Sequence, residues 1–401
     1  MTNELNVGRK STAEFLFALY CFAFAFAKPV TTAVGGLSTR VLLGVALVIL
    51  LVYIFTNIGD LNFLNLLKFI AFFLLMAAFF GFNVLFAGNA VVYAHIYNFI
   101  IYGLIPIFLL INVRDYARVL KYWCYIGMIQ GCMFLIDPFV GYQWSGGYMQ
   151  LGFNHLLPAF AASVVIWLYY EKKWGLVPTA VFFVDMLLNT NKGSPVTAVI
   201  FFILFFLMMR KLKYNKKATG AILGIAAVAG LVVLFRFQLF ELAVDLAELL
   251  GVNSYSLNTF REMLYKSPDR IFSIRTDIWN MALEAFKESP ILGLGIGTFE
   301  HDFGKYPHNV MIEVLSSSGV FAFIFFCAMI VVSALSIKRA SAEKRVLMFT
   351  FLILWIVPMQ ISLSLWNYPI FWIYWGIFLY NTDTPKTLVD VTDKTSTSEE
   401  K

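Results

Sequence analysis

Long apolar stretches recur along the chain and are separated by short polar segments. A helix needs roughly 20 apolar residues to cross the hydrocarbon core of a bilayer. Stretches that approach this length lie near residues 14–34, 41–57, 64–82, 90–111, 116–136, 153–170, 174–190, 195–210, 218–237, 308–337, 346–364 and 366–381. The pattern predicts an all-α, polytopic integral membrane protein with about twelve transmembrane helices.

Composition and charge agree with this class. Hydrophobic residues make up 60% of the chain and charged residues 13%, which is too apolar for a soluble domain. The net charge of +6 comes from Lys and Arg in alternate short segments, near residues 9–10, 114–121, 172–173, 210–217 and 338–345. This is the positive-inside pattern. We therefore expect a multi-pass protein of the cytoplasmic membrane with both termini in the cytoplasm, and we expect no nucleic-acid partner.

The spans and loops predict four regions along the chain. Residues 1–237 carry transmembrane helices 1–9, residues 238–307 form one large extracytoplasmic loop, and residues 308–381 carry helices 10–12. Residues 382–401 are polar and rich in Thr, Ser and acidic side chains. A segment of that composition cannot bury a core, so it predicts a disordered cytoplasmic tail.

Two amphipathic helices are predicted within the large loop. The first, starting at Phe240, has apolar residues at helical spacing opposite Glu241 and Asp245, which suits a helix lying at the membrane interface. The second runs from about Thr276 to Glu288 and ends before Pro290. Its apolar stripe is predicted to be Trp279, Leu283 and Phe286.

His308 is the candidate general base of this chain. It follows Pro307 where the loop becomes the tenth span, and an ordinary imidazole pKa of about 6.5 suits proton removal near neutral pH. The alternative is a His whose hydrogen bonds are satisfied at the start of a helix and that has no catalytic role.

Asn309 and Glu313 are four residues apart, so they share a helix face. Glu313 could orient His308, line a polar cavity or form a hydrogen bond between packed helices.

Arg275 is the candidate phosphate ligand, because its guanidinium can bind two phosphate oxygens at once and stays charged. Other cations lie just upstream, at Arg261, Lys266 and Arg270. The alternatives for Arg275 are a salt bridge to a neighbouring acidic residue, Asp277 or Glu284, or contact with lipid head groups.

Gly293, Gly295 and Gly297 alternate with apolar residues directly after the second loop helix. A nucleotide loop follows a strand, so we interpret these glycines as positions of positive φ or close backbone approach. Glu300, His301 and Asp302 could ligate a metal together with His308, but nothing in their spacing enforces the geometry. We therefore predict no metal and no cofactor.

Two segments together resemble the signature of a known family. Arg275–Phe299 reads RTDIWNMALEAFKESPILGLGIGTF, and Tyr306–Gly319 reads YPHNVMIEVLSSSG. In this order, and at an outer loop that runs into a span, they resemble the O-antigen polymerase/ligase family of bacterial surface polysaccharide assembly. The detailed likeness covers residues 275–319, and the general layout extends it across the chain.

The resemblance implies an inverting membrane glycosyltransferase with a glycosyltransferase C-like architecture and a polyprenyl-pyrophosphate-linked glycan as donor. Arg275 matches the family's pyrophosphate-contacting Arg, and His308 matches its essential His. Many relatives have Ser-Arg-Gly near an earlier span, where this chain has Asn191-Lys192-Gly193. Lys192 could supply charge there but not a bidentate fork.

Three functions remain open on this reading. We expect a polymerase of lipid-linked repeat units into O-antigen, capsule or exopolysaccharide at the bacterial inner membrane. The alternative is a ligase that moves the finished glycan onto lipid A-core or another acceptor. A lipid-linked sugar transporter fits less well, because transporters place functional charges near the bilayer midplane. Membrane lipid, a chain-length regulator and a flippase of the same pathway are the further partners that the resemblance implies.

Overall fold

The computed structural model describes residues 2–34, 38–212 and 268–380, together with residues 241, 242, 244, 245 and 249. These ranges are almost wholly helical and contain no strand. The helices are α1 (Thr2–Val34), α2 (Ser38–Asn57), α3 (Phe63–Phe86), α4 (Ala90–Leu109), α5 (Tyr116–Phe134), α6 (Tyr148–Leu168), α7 (Leu176–Asn189), α8 (Gly193–Leu212), α9 (Pro268–Glu288), α10 (Thr298–Phe303), α11 (Val310–Ile337), α12 (Ala342–Ile361) and α13 (Pro369–Leu379).

The all-α polytopic class is confirmed, because eight of the described helices are long and apolar enough to cross a membrane. The number twelve is not confirmed. The spans predicted near 174–190 and 366–381 appear as helices of 14 and 11 residues. The span predicted near 116–136 appears as α5, which carries Arg118 and Lys121 in its first half. The span predicted near 218–237 lies outside the described residues, as does the tail 382–401.

The helices divide into an inner bundle and a peripheral set. In the bundle, α1 packs on α2 and α5, α6 packs on α5 and α7, and α12 packs on α8, α11 and α13. Large aromatic side chains such as Trp123 and Trp355 are almost fully buried between them. In contrast, only 11% of α3 is buried, and Leu85 is 89% exposed. An apolar helix with so much exposed surface is suited to face lipid.

Most of the basic loops gather at one end of the bundle. There Glu14 accepts the backbone N–H groups of Arg114 and Asp115, at 3.2 and 3.1 Å. At the same end, the Tyr169 hydroxyl donates to Glu343 at 3.2 Å, and the Lys344 ammonium donates to the Tyr380 carbonyl at 3.4 Å. The segments 83–89, 290–308 and 362–368 meet at the opposite end. Which end faces the cytoplasm stays a prediction.

Helix α11 is broken at Gly319, whose φ of 76° and ψ of −179° are far from helical values. The break frees backbone groups that a continuous helix would pair internally, and the segment 290–295 pairs with them instead. The Leu294 N–H donates to the Ser316 carbonyl, the Gly295 N–H to the Ser317 carbonyl and the Val320 N–H to the Pro290 carbonyl, each at 2.9 Å. The large loop is therefore attached to α11 through its backbone.

Gly319 should be far less replaceable than Gly304, although both have positive φ, of 76° and 65°. A Cβ at Gly319 would overlap the Ile291 carbonyl, whereas a Cβ at Gly304 would meet open space. The backbone region of Gly319 is also essentially restricted to glycine. We expect Gly304→Ala to cost roughly 1–2 kcal/mol of stability and Gly319→Ala to cost roughly 1–3 kcal/mol more. Unfolding of the purified variants in detergent measures both, and equal losses would contradict the backbone pairing.

Candidate active site

His308 lies in a strained segment that is held on both sides. Its φ of 56° is in the left-handed region, which costs a non-glycine residue about 1–3 kcal/mol. Before it, the Pro307 carbonyl accepts the Trp279 indole N–H at 2.9 Å. After it, the Asn309 side chain caps α11 by accepting the Met311 N–H at 2.9 Å. These anchors on α9 and α11 maintain the unusual backbone conformation.

The His308 ring has a defined tautomer. Its Nδ1 lies 3.1 Å from the Ser362 carbonyl oxygen, and a carbonyl can only accept, so Nδ1 carries the hydrogen. In the neutral ring Nε2 therefore has the free lone pair. The Tyr306 hydroxyl donates to the same Ser362 carbonyl at 2.5 Å, and the Tyr306 and His308 ring centroids are 4.1 Å apart. Ser362 thus positions both rings.

Burial and nearby charges lower the pKa of His308 and raise the pKa of Tyr306. Burial lowers the pKa of His308, the Ser362 bond partly opposes this, and the positive charges of Arg275 and Lys305 lower it further. Burial raises the pKa of Tyr306 to about 12, and the negative charges of Glu313 and Glu300 contribute. Near neutral pH, His308 is therefore uncharged and able to accept a proton, while Tyr306 remains a hydrogen-bond donor.

Arg275 lies inside α9 and does not open it. Helix α9 begins at Pro268, eight residues before the predicted start, so Arg275 lies two turns inside it. Burial lowers the pKa of Arg275, but a guanidinium remains protonated. The predicted alternative of a salt bridge is not observed: in the described part of the chain Arg275 forms no ion pair, and Glu284 pairs with Lys287 at 2.6 Å.

The buried stripe of α9 differs from the prediction. Ile278, Ala282 and Ala285 are buried, and they form a small core with Phe299 of α10, whereas Leu283 is 36% exposed. The spacing of these residues is helical, but small side chains face inward because α9 lies close against its neighbours. This register directs Arg275 and Trp279 towards the segment around His308.

The three glycines have the predicted conformation. Gly293, Gly295 and Gly297 have φ values of 71°, 90° and 75°. Gly293 lies against the backbone of Ser317, and Gly297 lies against Val91 of α4. Their part in the site is therefore to let the loop approach α3, α4 and α11 closely.

Glu313 forms a hydrogen bond to the segment after α12, whereas one of its predicted alternatives was a bond between packed helices. It is 6% exposed, and its Oε1 accepts the Ser364 hydroxyl at 2.6 Å. It does not share a role with Asn309, which caps the helix. Ser362 and Ser364 both lie in the segment after α12, so Glu313 and His308 are held by the same stretch of chain.

Among the described side chains, Lys192 is the remaining predicted cation that lies near this site. Lys192 lies in the turn between α7 and α8, where Gly193 approaches Ile361, the residue before Ser362. Its turn is therefore beside the His308 anchor. Arg270 lies in the first turn of α9, but its side chain is outside the described residues, and Arg261 and Lys266 lie outside them entirely. The interfacial helix from Phe240 is described only at five positions, all helical.

The residues considered for a metal point apart. His301 pairs with Asp302 at 2.8 Å, and both side chains are half exposed. Glu300 instead contacts His95 of α4, with 3.2 Å between Oε2 and Nε2. Within the described ranges, no three His, Cys, Asp or Glu side chains are grouped to hold a metal ion.

Sequence reasoning assigned no role to Tyr306, Ser362, Ser364 or His95. His95 could have been found, because an ionisable residue inside an apolar span is a functional candidate by default. Ser362 had no comparable signal, since His308 contacts only its backbone carbonyl.

The helices and this site define a polytopic membrane protein whose candidate catalytic His308 lies just before α11. Residues 178–327 match the model of the O-antigen ligase family. This range contains Lys192, Arg275 and His308, and the match supports the O-antigen polymerase/ligase family and a glycan-transferring activity for this chain. No curated protein matches the chain in sequence.

Replacing Arg275 should change the acidity of His308. Because the Arg275 charge lowers the His308 pKa, we expect Arg275→Gln to raise that pKa towards the ordinary value of about 6.5. Titration of ¹⁵N-histidine-labelled protein by NMR measures this, with the His308 signal assigned through His308→Ala. Lys287→Gln, which removes a paired charge on the same helix, is the control. An unchanged His308 pKa in Arg275→Gln would show that the Arg275 charge does not act on His308.

Proposed function

We propose that the protein polymerises polyprenyl-pyrophosphate-linked oligosaccharide repeat units on the outer face of the bacterial cytoplasmic membrane. The observation that carries the proposal is the neutral His308 ring, held with Nε2 available next to a half-buried Arg275 that has no acidic partner among the described residues. A base beside a cation is the combination that glycosyl transfer from a pyrophosphate requires.

Arg275 binds the pyrophosphate of the donor. As the bond between the anomeric carbon and the pyrophosphate oxygen breaks, negative charge develops on the leaving group. A guanidinium can bind two of its oxygens through parallel N–H bonds. Since no acidic side chain in the described ranges occupies Arg275, the fork is available for phosphate. Lys192 can add charge from the adjacent turn.

His308 acts as the general base on the acceptor. Its Nε2 removes the proton of an acceptor hydroxyl while that oxygen forms the new bond to the anomeric carbon. Attack from the face opposite the pyrophosphate inverts the anomeric configuration. The Ser362 carbonyl keeps Nδ1 protonated and then stabilises the imidazolium that forms. The products are the extended lipid-linked glycan and the free polyprenyl pyrophosphate.

The family match is to an O-antigen ligase model, and ligase and polymerase share this donor chemistry. They differ in the acceptor, which is lipid A-core or another glycolipid for a ligase and a second lipid-linked repeat for a polymerase. The polymerase remains our first choice and the ligase the second candidate. Purified protein offered both acceptors with one labelled donor distinguishes them by the product formed.

His308→Ala should remove activity without unfolding the protein. General-base catalysis contributes roughly 100- to 10,000-fold to rate, so we expect a loss of that size in turnover of a purified lipid-pyrophosphate glycan. Because the base must be uncharged and its pKa is lowered, the wild-type rate should be maximal at neutral pH and decline only below about pH 6.5. His301→Ala, on exposed α10, should retain full activity. Near-normal polymer from His308→Ala would exclude the base role.

Arg275→Lys should be damaging although the charge is conserved. Lys offers a point charge in place of the fork, and losing one charge-assisted bond in a desolvated site costs roughly 1.5–3 kcal/mol, or about 10- to 150-fold in rate. Asp277→Asn, which removes an exposed charge two residues away, should leave the same turnover unchanged. A wild-type rate for Arg275→Lys would remove Arg275 from the pyrophosphate site and direct attention to Lys192.

A further inference from the structure

A second ionisable pair lies beside the site and has no part in the mechanism above. His95 of α4 is 3% exposed, and its Nε2 lies 3.2 Å from Oε2 of Glu300. Its ring stacks on Trp366 with the centroids 5.8 Å apart. Its Nδ1 is buried without a hydrogen-bond partner. Burying an imidazole with one nitrogen unpaired is unfavourable, so the pair needs an explanation beyond packing.

The Glu300 carboxylate is only partly used by this contact. Oε2 faces His95, whereas Oε1 has no hydrogen-bond partner among the described residues. The side chain is 31% exposed, while that of His95 is 4% exposed. The buried partner therefore holds one oxygen in place and leaves the partly exposed carboxylate able to accept a further hydrogen bond.

The position of α10 is itself determined by α4. The Asn89 side chain donates to the Ile296 carbonyl at 3.3 Å and to the Thr298 hydroxyl at 3.2 Å. These bonds fix the start of α10, and the His95 contact fixes Glu300 in its first turn. Two contacts from one helix thus orient a single carboxylate.

Two carboxyl groups act on this centre, because Glu313 and Glu300 raise the pKa of Tyr306 while Arg275 lowers it. Glu313 already accepts the Ser364 hydroxyl and is buried. Glu300 is therefore the carboxylate near this centre that remains available to a ligand.

A carboxylate in this place suits the reacting sugar of the acceptor. It repels a pyrophosphate but accepts hydrogen bonds from sugar hydroxyls, and a bond to a charged group is stronger than one between neutral groups. The acceptor sugar must bring a hydroxyl to Nε2 of His308 and has further hydroxyls to be held. Arg275 is then left to the donor pyrophosphate.

We propose that Glu300 binds a hydroxyl of the acceptor sugar through Oε1 and that the buried His95 is the positioning residue that aims it. The inference rests on the proposed function and adds the acceptor contact to it. Its alternative is an ion pair that only joins α4 to α10. Such a pair would affect stability and leave the affinity for acceptor unchanged.

The test compares acceptor kinetics of wild type, Glu300→Gln and Asp302→Asn at saturating donor. Asp302→Asn is the matched control, because Asp302 lies on the same helix and pairs with the exposed His301. We expect Glu300→Gln to raise the KM for acceptor about 10- to 150-fold. The KM for donor, measured in a separate series at a fixed acceptor concentration, should be unchanged. His95→Phe keeps the ring contact with Trp366 and should raise the same KM less. Asp302→Asn should behave as wild type.

Acceptors that each lack one hydroxyl give a second, independent measurement. One of them should bind the wild type as weakly as the complete acceptor binds Glu300→Gln, and its loss should have no further effect in that variant. If Glu300→Gln does not fold, Glu300→Asp and the wild type are compared with the same acceptors.

The outcomes separate this inference from the proposed function. An inactive wild type on every lipid-pyrophosphate donor would overturn the proposed function. An active wild type with an unchanged acceptor KM in Glu300→Gln, or with equal binding of all the deoxy acceptors, would overturn the role of Glu300 alone.

Discussion

The backbone pairing between segment 290–295 and the break in α11 is the constraint on which the site depends. A break in an apolar helix leaves polar backbone groups without partners, and inside a membrane protein these must be satisfied by protein. The segment from Pro290 to Gly295 provides that pairing. In doing so it fixes where α9 ends and where α10 begins, and these two helices carry Arg275 and Glu300. The glycines are required because side chains at Gly293 or Gly319 would separate the two backbones.

The chemistry of the centre follows from one carbonyl as much as from any side chain. Ser362 lies after α12, where the helix has ended and its carbonyl is available to the Tyr306 hydroxyl and the His308 ring. The carbonyl selects the His308 tautomer, and burial beside Arg275 keeps the ring neutral. The strained backbone at His308 is maintained because Trp279 and Asn309 hold the residues on either side.

Charges of both signs connect the proposals for the two substrates. Arg275 and Lys305 lower the pKa of His308, and Glu300 and Glu313 raise that of Tyr306. The pyrophosphate of the donor and the hydroxyls of the acceptor sugar require opposite surroundings. A site with both a guanidinium and a carboxylate can orient both groups, provided that water is limited around the reacting atoms. The half-buried state of Arg275 and His308 is consistent with this requirement.

Local pattern was sufficient for the class of protein and for several positions. Apolar stretches of membrane-spanning length predicted the polytopic helices, and alternate glycines predicted positive φ at Gly293, Gly295 and Gly297, because both are properties of a short segment of chain. The motif around His308 predicted a resemblance to the O-antigen polymerase/ligase family, which the match over residues 178–327 supports. Tertiary structure alone decided which face of α9 is buried, how Gly319 breaks α11, and that His95 meets Glu300 across about 200 residues of chain. These features depend on contacts between distant segments, and a pattern of neighbouring residues carries no information on them.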